Sequence, residues 1–346
     1  MHLRRWPLGL LISLTVILAA CSPAGGGEGD ASTTMLRLGY FPNVTHAAAI
    51  VGIEEGIIAD ALGEGVQLRA QAFNAGPDVI EALFNGALDA SFIGPSPAIN
   101  GFTRSDGQAL RIVAGATSGG ASLVVRDGIA SPSDLVGATL ATPQLGNTQD
   151  VALRAWLAEE GLTADLEGGG DVSIVPQANA QALEAFVAGE IDGAWMPEPW
   201  ATRMVREGDG VVLVDERDLW PDGEFVTTHL IVATEFLEAH PDLVKALIAA
   251  HVEATDYLVE QPESAQQIVA AALADLTGSQ LPEGTLAAAW ENLIFTVDPM
   301  ASSLRASASS AADLGLLESD DVDGIYDLSI LNEVLSELGR PEIPAP

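Results

Sequence analysis

Basic residues are scarce in this chain. Only 14 Lys and Arg stand against 49 Asp and Glu, and Lys245 is the sole lysine. A formal charge of −35 argues against nucleic acid and anionic lipid headgroups as partners, because both would be repelled. Cysteine is scarcer still, and the lone Cys21 excludes a disulfide framework. The histidines His46, His229, His240 and His251 lie too far apart for any pair to share metal-ligand spacing within one motif. A catalytic base also needs an orienting partner, and none is apparent beside His46 or His229. The Gly-rich stretch Ala116–Ser122 lacks both the lysine of a phosphate-binding loop and the spacing of a dinucleotide fingerprint. No catalytic residue, metal or cofactor is therefore expected, and the chain reads as a non-enzyme.

Long apolar runs are also missing, with one exception at the start. Arg4 and Arg5 precede an apolar stretch from Leu8 to Leu18, and the small Ala19 and Ala20 stand just before Cys21. The stretch is short for a spanning helix, which needs about 20 apolar residues. Leu18-Ala19-Ala20-Cys21 matches the bacterial lipoprotein signal. The expectation is removal of residues 1–20, acylation of Cys21 and anchorage at the outer face of a cell membrane. Residues 21–34, rich in Gly, Ser and Ala, read as a flexible tether. Without Arg4 and Arg5 the remaining chain stands near −37, with its acidic residues scattered as a solvated surface.

What is present is globular and duplicated. At 346 residues and 48% hydrophobic, the chain is long enough for two lobes with cores of their own. Residues 81–90 (EALFNGALDA) resemble 184–193 (EAFVAGEIDG) at an offset of 103 residues. The match continues from Phe92–Ala98 into Trp195–Ala201, and Asn74 falls opposite Gln177. Each copy reads as strand, polar loop, helix, strand, loop, helix and a third short strand. The strands are expected at 36–40, 66–73 and 90–93, and again at 139–142, 172–175 and 193–196. Such alternation predicts an α/β fold of two open, mostly parallel sheets with helices on both faces. Ligands collect at the carboxyl ends of strands in sheets of this kind, and two such lobes face each other across a cleft. The chain is expected to cross between lobes near 118–123 and 225–229. That places residues 35–120 and 230–346 in the first lobe and 121–229 in the second, with 230–260 and 262–276 as helices.

The strand-end loops carry small hydroxyl and amide side chains. Phe41, Asn43, Thr45 and His46 follow the first strand, and Gln144, Asn147, Thr148 and Gln149 follow its counterpart. N-capping accounts for any one of Asn43, Thr45, Asn147 or Thr148. As a set they do more. A helix N-terminus has free N–H groups and partial positive charge, so two opposed termini hold an anion without lysine or arginine. Repulsion from the acidic surface is screened beyond about 10 Å in ordinary salt, while contacts at hydrogen-bond range are not. Asn74, Gly94, Ser96, Ser118 and Thr228 stand in further strand-end or crossing segments. Trp195 and Glu198 end the third strand of the second copy; they read equally as core packing and a solvated carboxylate, or as a wall for an alkyl chain and a partner for an amine.

Three stretches carry a family resemblance. Leu38–Ala47, Gly86–Ala90 with Ile93–Pro97, and Gly146–Gln149 resemble the nitrate/sulfonate/taurine group of ABC-transporter substrate-binding proteins, most nearly the aliphatic-sulfonate branch. The likeness runs from about Met35 to beyond Leu293. It implies a two-lobed periplasmic-binding-protein fold of the second type, a monomer that clamps a small sulfonate or related oxyanion and delivers it to a membrane permease. It places contacts around Asn43, Asn74, Ser96, Ser118, Gln144, Thr148 and Trp195. Glu198 suits an aminosulfonate and has no partner in a plain alkanesulfonate. A related branch takes thiamine-pyrimidine precursors, which aromatic walls near Phe41 and Trp195 would suit. A pyrimidine-synthesising enzyme shares the fold, but the cysteine cluster is missing here.

Overall fold

The computed structural model describes residues 34–344. The expected signal peptide, Cys21 and all of the tether but Thr34 lie outside the described residues.

Among the described residues, eleven strands form two sheets. The first sheet holds β1 (Thr34–Tyr40), β2 (Val66–Ala72), β3 (Ala90–Ile93) and β4 (Leu110–Gly119). The second is built from β5 (Ala121–Val125), β6 (Thr139–Thr142), β7 (Ser173–Pro176), β8 (Gly193–Pro197) and β9 (Val211–Asp215). The chain then returns through β10 (Val226–Ala233) and β11 (Leu293–Phe295) to the first sheet. The orders are β11-β4-β10-β3-β1-β2 and β7-β6-β8-β5-β9. In each, the three strands of one sequence copy run parallel, β2-β1-β3 and β7-β6-β8. Beside them lies one antiparallel strand delivered by the other crossing, β10 or β5. The expected α/β architecture of two lobes is therefore present.

One boundary shifts. Residues 226–233 form β10 of the first sheet, so the helices begin at Thr234 and not at 230. The run Val226–Ala233 is β-branched and apolar enough to be a fully buried strand, and only pairing with β3 and β4 distinguishes it from a buried helix.

The first crossing is short: β4 ends on Gly119 and Gly120 alone separates it from β5, with φ of +76° and +75° at the two glycines. A Cβ on Gly119 would stand 2.6 Å from the Asn292 carbonyl, and one on Gly120 would strike Leu293. Glycine is needed both for the left-handed turn and for this close approach.

The larger core lies in the first lobe. Leu36, Leu38 and Phe92 of the sheet pack against Val244, Ile248 and Val252 of helix Pro241–Glu260, joined by Val269 and Leu331 from later helices. The second lobe has smaller clusters around Leu123, Leu140, Leu153 and Trp195, and around Phe186, Met196 and Met204.

Candidate functional site

The carboxyl ends of the parallel strands in both sheets meet at a small hollow of ≈ 20 Å³. The first lobe lines it with Phe41, Asn43, Thr45 and His46 after β1, Asn74 after β2, Gly94 after β3 and Thr227 of β10. The second lobe contributes Pro143, Asn147, Thr148 and Gln149 after β6, Asn179 after β7 and Pro197 at the end of β8. The two loops expected to confront each other thus share one hollow. An ordered water needs roughly 10–15 Å³ by the same measure, so this space suits a group of a few atoms.

Four helices of nine residues or more begin at these loops. They are Gly76–Phe84, Pro95–Arg104, Thr148–Glu159 and Asn179–Ala188. Gly94 is the N-cap of the second, Asn147 of the third, and Asn179 is the first residue of the fourth. The Asn147 side chain accepts from the Gln149 N–H at 3.1 Å, which leaves its own NH₂ group as a donor. The partial positive ends of these helices favour negative charge at the hollow.

No Lys, Arg, Asp or Glu lines the hollow. His46 is uncharged, because complete burial pulls its pKa down to about 3. The Phe41 N–H points at His46 Nδ1 at 3.4 Å, so the ring proton sits on Nε2 and gives a neutral donor. Phe41 itself packs on that imidazole, ring centres 4.4 Å apart. Thr148 Oγ1 and Asn179 Oδ1 are buried without a partner. Buried polar atoms of this kind are uncommon in folded proteins, and here they lie against one small space.

The lobes touch directly around the hollow. The Trp200 indole N–H donates to Asn43 Oδ1 at 2.9 Å, and the Val44 N–H donates to the Glu198 carbonyl at 3.0 Å. Thr148 Oγ1 reaches so near Gly94 that a Cβ there would collide with it. Asn292 Nδ2 donates to Glu198 Oε1 at 2.7 Å.

These contacts correct several expectations. Glu198 does not line the hollow. Its buried carboxylate accepts from the Thr202 N–H and hydroxyl as well as from Asn292. Burial pushes its pKa up and those hydrogen bonds hold it down, with the first effect larger. Trp195 is fully buried in the core of the second lobe, its indole donating to Glu216 at 2.8 Å, and it walls no cleft. Ser118 Oγ is engaged by the Phe225 N–H at the crossing. Thr228 is fully buried one residue past Thr227, which takes the lining position at an irregularity of the β10–β4 pairing. Gln144 stands just before the lining stretch 147–149, and Ser96 lies two residues beyond Gly94 outside the hollow's wall. Pro143, Asn179, Pro197 and Thr227 line the hollow without having been singled out. Gly94 and Pro197 occupy matching repeat positions, and Asn179 begins the helix matching that of Gly76, so the duplication carried a usable signal for two of them.

Two α/β lobes whose strand ends close on a polar hollow make up the periplasmic-binding-protein fold. The taurine-binding periplasmic protein of Escherichia coli is 28% identical over 227 residues, covering 64% of this chain and 66% of that one. The alkanesulfonate-binding protein of Xanthomonas axonopodis pv. citri superposes with TM-score 0.69 at 20% identity, over 83% of this chain and 95% of that one. The nitrate-binding protein of Synechocystis PCC 6803 gives TM-score 0.72 at 18% identity, over 89% and 90%. The chain belongs to the NMT1-like family, whose model matches residues 29–274.

Proposed function

We propose that this protein captures a small sulfonate or related oxyanion between its lobes and hands it to an ABC importer, without turning it over. The carrying observation is the hollow itself. It is small, shared by both lobes, ringed by neutral donors and helix N-termini, and free of lining carboxylates. That donor set suits a compact oxyanion, whose charge is spread over several acceptor oxygens. Relatives named for taurine, alkanesulfonate and nitrate support the same ligand chemistry. Export and acylation at Cys21 would hold the monomer beside its permease at the outer face of the membrane, as the N-terminal motif suggests. The pyrimidine-precursor reading has lost one of its two aromatic walls, since Trp195 belongs to the core while Phe41 lines the hollow.

Calorimetric and thermal titration with methanesulfonate, taurine, nitrate and bicarbonate tests the reading. A bound anion at a hundredfold excess over Kd adds about 2.7 kcal/mol of stability. No stabilisation by any of the four would overturn it. Anchorage is tested separately: Cys21→Ser is expected to release the protein from the membrane fraction.

A further inference from the structure

A second and larger chamber of ≈ 300 Å³ adjoins the hollow and shares Thr148 with it. It lies between helix Thr148–Glu159 of the second lobe, helix Ala301–Asp313 and the segment returning to β10. Thr148, Val151, Ala152 and Ala155 recur at three- to four-residue spacing, so one face of that helix lines the chamber. The small Ala152 and Ala155 on this side and Ser307 on the opposite helix leave the space between them open. Trp156, Trp220 and Phe225 make aromatic walls, the last two stacked at 5.8 Å with an interplanar angle of 12°.

Glu159, Glu216, Ser307 and Ser310 also stand on the chamber's wall, and where it approaches the hollow the polar groups are hydroxyls. Ser96 Oγ and Thr148 Oγ1 are hydroxyls without a hydrogen-bond partner, in residues only 4% and 7% exposed. Both residues line the chamber. We infer that the chamber is the tail subsite of the same binding site, taking an aromatic ring or comparably broad apolar group carried by the bound oxyanion. This rests on the oxyanion reading above. The size agrees: a dry cavity of about 150 Å³ holds benzene, so ≈ 300 Å³ has room for two fused rings. The aromatic walls favour a flat π-surface over a thin alkyl chain.

Calorimetric titration of methanesulfonate and naphthalene-2-sulfonate tests the inference. Burying the ring system makes the aryl ligand bind at least about tenfold more tightly to the wild-type protein. Ala155→Trp fills the chamber, so the aryl advantage falls below roughly threefold while methanesulfonate, which stops short of the chamber, stays within about twofold. Ser307→Phe fills the space from the opposite helix and gives the same pattern should Ala155→Trp fail to fold. An aryl ligand no tighter than methanesulfonate, or equally tight in a folded filled variant, would show that the tail lies elsewhere. Failure of methanesulfonate to bind at all removes the oxyanion reading and this inference together.

Discussion

In the second lobe the loop after β6 is tied down from beneath by charge. Asp150 accepts from the Thr142 hydroxyl at 2.9 Å, the Gly146 N–H at 2.9 Å and Arg154 Nε at 3.1 Å. Both side chains of the ion pair are essentially inaccessible, at 1% and 0% exposure. The residues standing 103 positions earlier in the first lobe are Ala47 and Val51, fully buried in the apolar core. The same strand-end loop is thus supported by an ion pair in one lobe and by hydrocarbon in the other. Hydrocarbon contributes stability without direction, whereas a buried pair contributes little net stability and holds one geometry. The loop held by charge is also the one whose Asn147 and Thr148 present donors to the hollow.

Removing one partner breaks this contrast most severely. Asp150→Ala leaves Arg154 buried and unpaired, and urea unfolding is expected to show a loss of about 3–5 kcal/mol. Adding Arg154→Val installs the apolar solution of the first lobe and recovers most of that loss; a double variant as weak as the single one would mean that the buried charge is not the cause. Next come Thr148→Ala and its repeat counterpart Thr45→Ala, each expected to weaken oxyanion binding by about 1–3 kcal/mol in calorimetry. An effect in one lobe only would show a one-sided grip.

The lobes also divide over pH. His46, His229 and His251 all pack in the first lobe, and burial lowers them to about 3, 4 and 4. The folded state refuses protons that the unfolded chain accepts below pH 6.5, so each such histidine removes roughly 1.4 kcal/mol per pH unit as pH falls from there toward 4. Glu216 of the second lobe is raised by burial to about 7, against the opposing hydrogen bonds of the Trp195 and Trp220 indoles. Its contribution is fully present below pH 4.5 and is lost as pH rises through about 7. Glu216→Gln is expected to flatten the decline between pH 5 and 7.5 in thermal melts and leave the acid limb unchanged. The smallest effect belongs to the latch between lobes. Trp200→Phe forfeits the bond to Asn43 and is expected to lower ligand affinity by about 0.5–1.5 kcal/mol, visible as faster release in stopped flow.

The duplication made the fold legible, because strand and helix periodicity repeats with its turns at a nearly constant offset. It also made much of the hollow legible: Thr45 and Thr148, His46 and Gln149, and Gly94 and Pro197 are repeat partners that all line it. What escaped depends on long-range contact. Glu198 looked free until Asn292, ninety-four residues on, took its carboxylate. Trp195 looked like a cleft wall because it ends a strand, but its indole turns inward to Glu216. Thr227 and Thr228 are chemically identical, and the register shifts in the β10–β4 pairing that fix which one faces the hollow leave no mark in the local sequence.

A cavity with no fixed charge on its walls, set in a strongly acidic body, separates arrival from residence. An approaching anion climbs an unfavourable potential that dissolved salt lowers, so its association rate rises with ionic strength. Once seated against neutral donors and dipoles, it departs at a rate that salt scarcely alters. For the proposed anion, added salt would therefore speed filling of the hollow and leave its emptying unchanged.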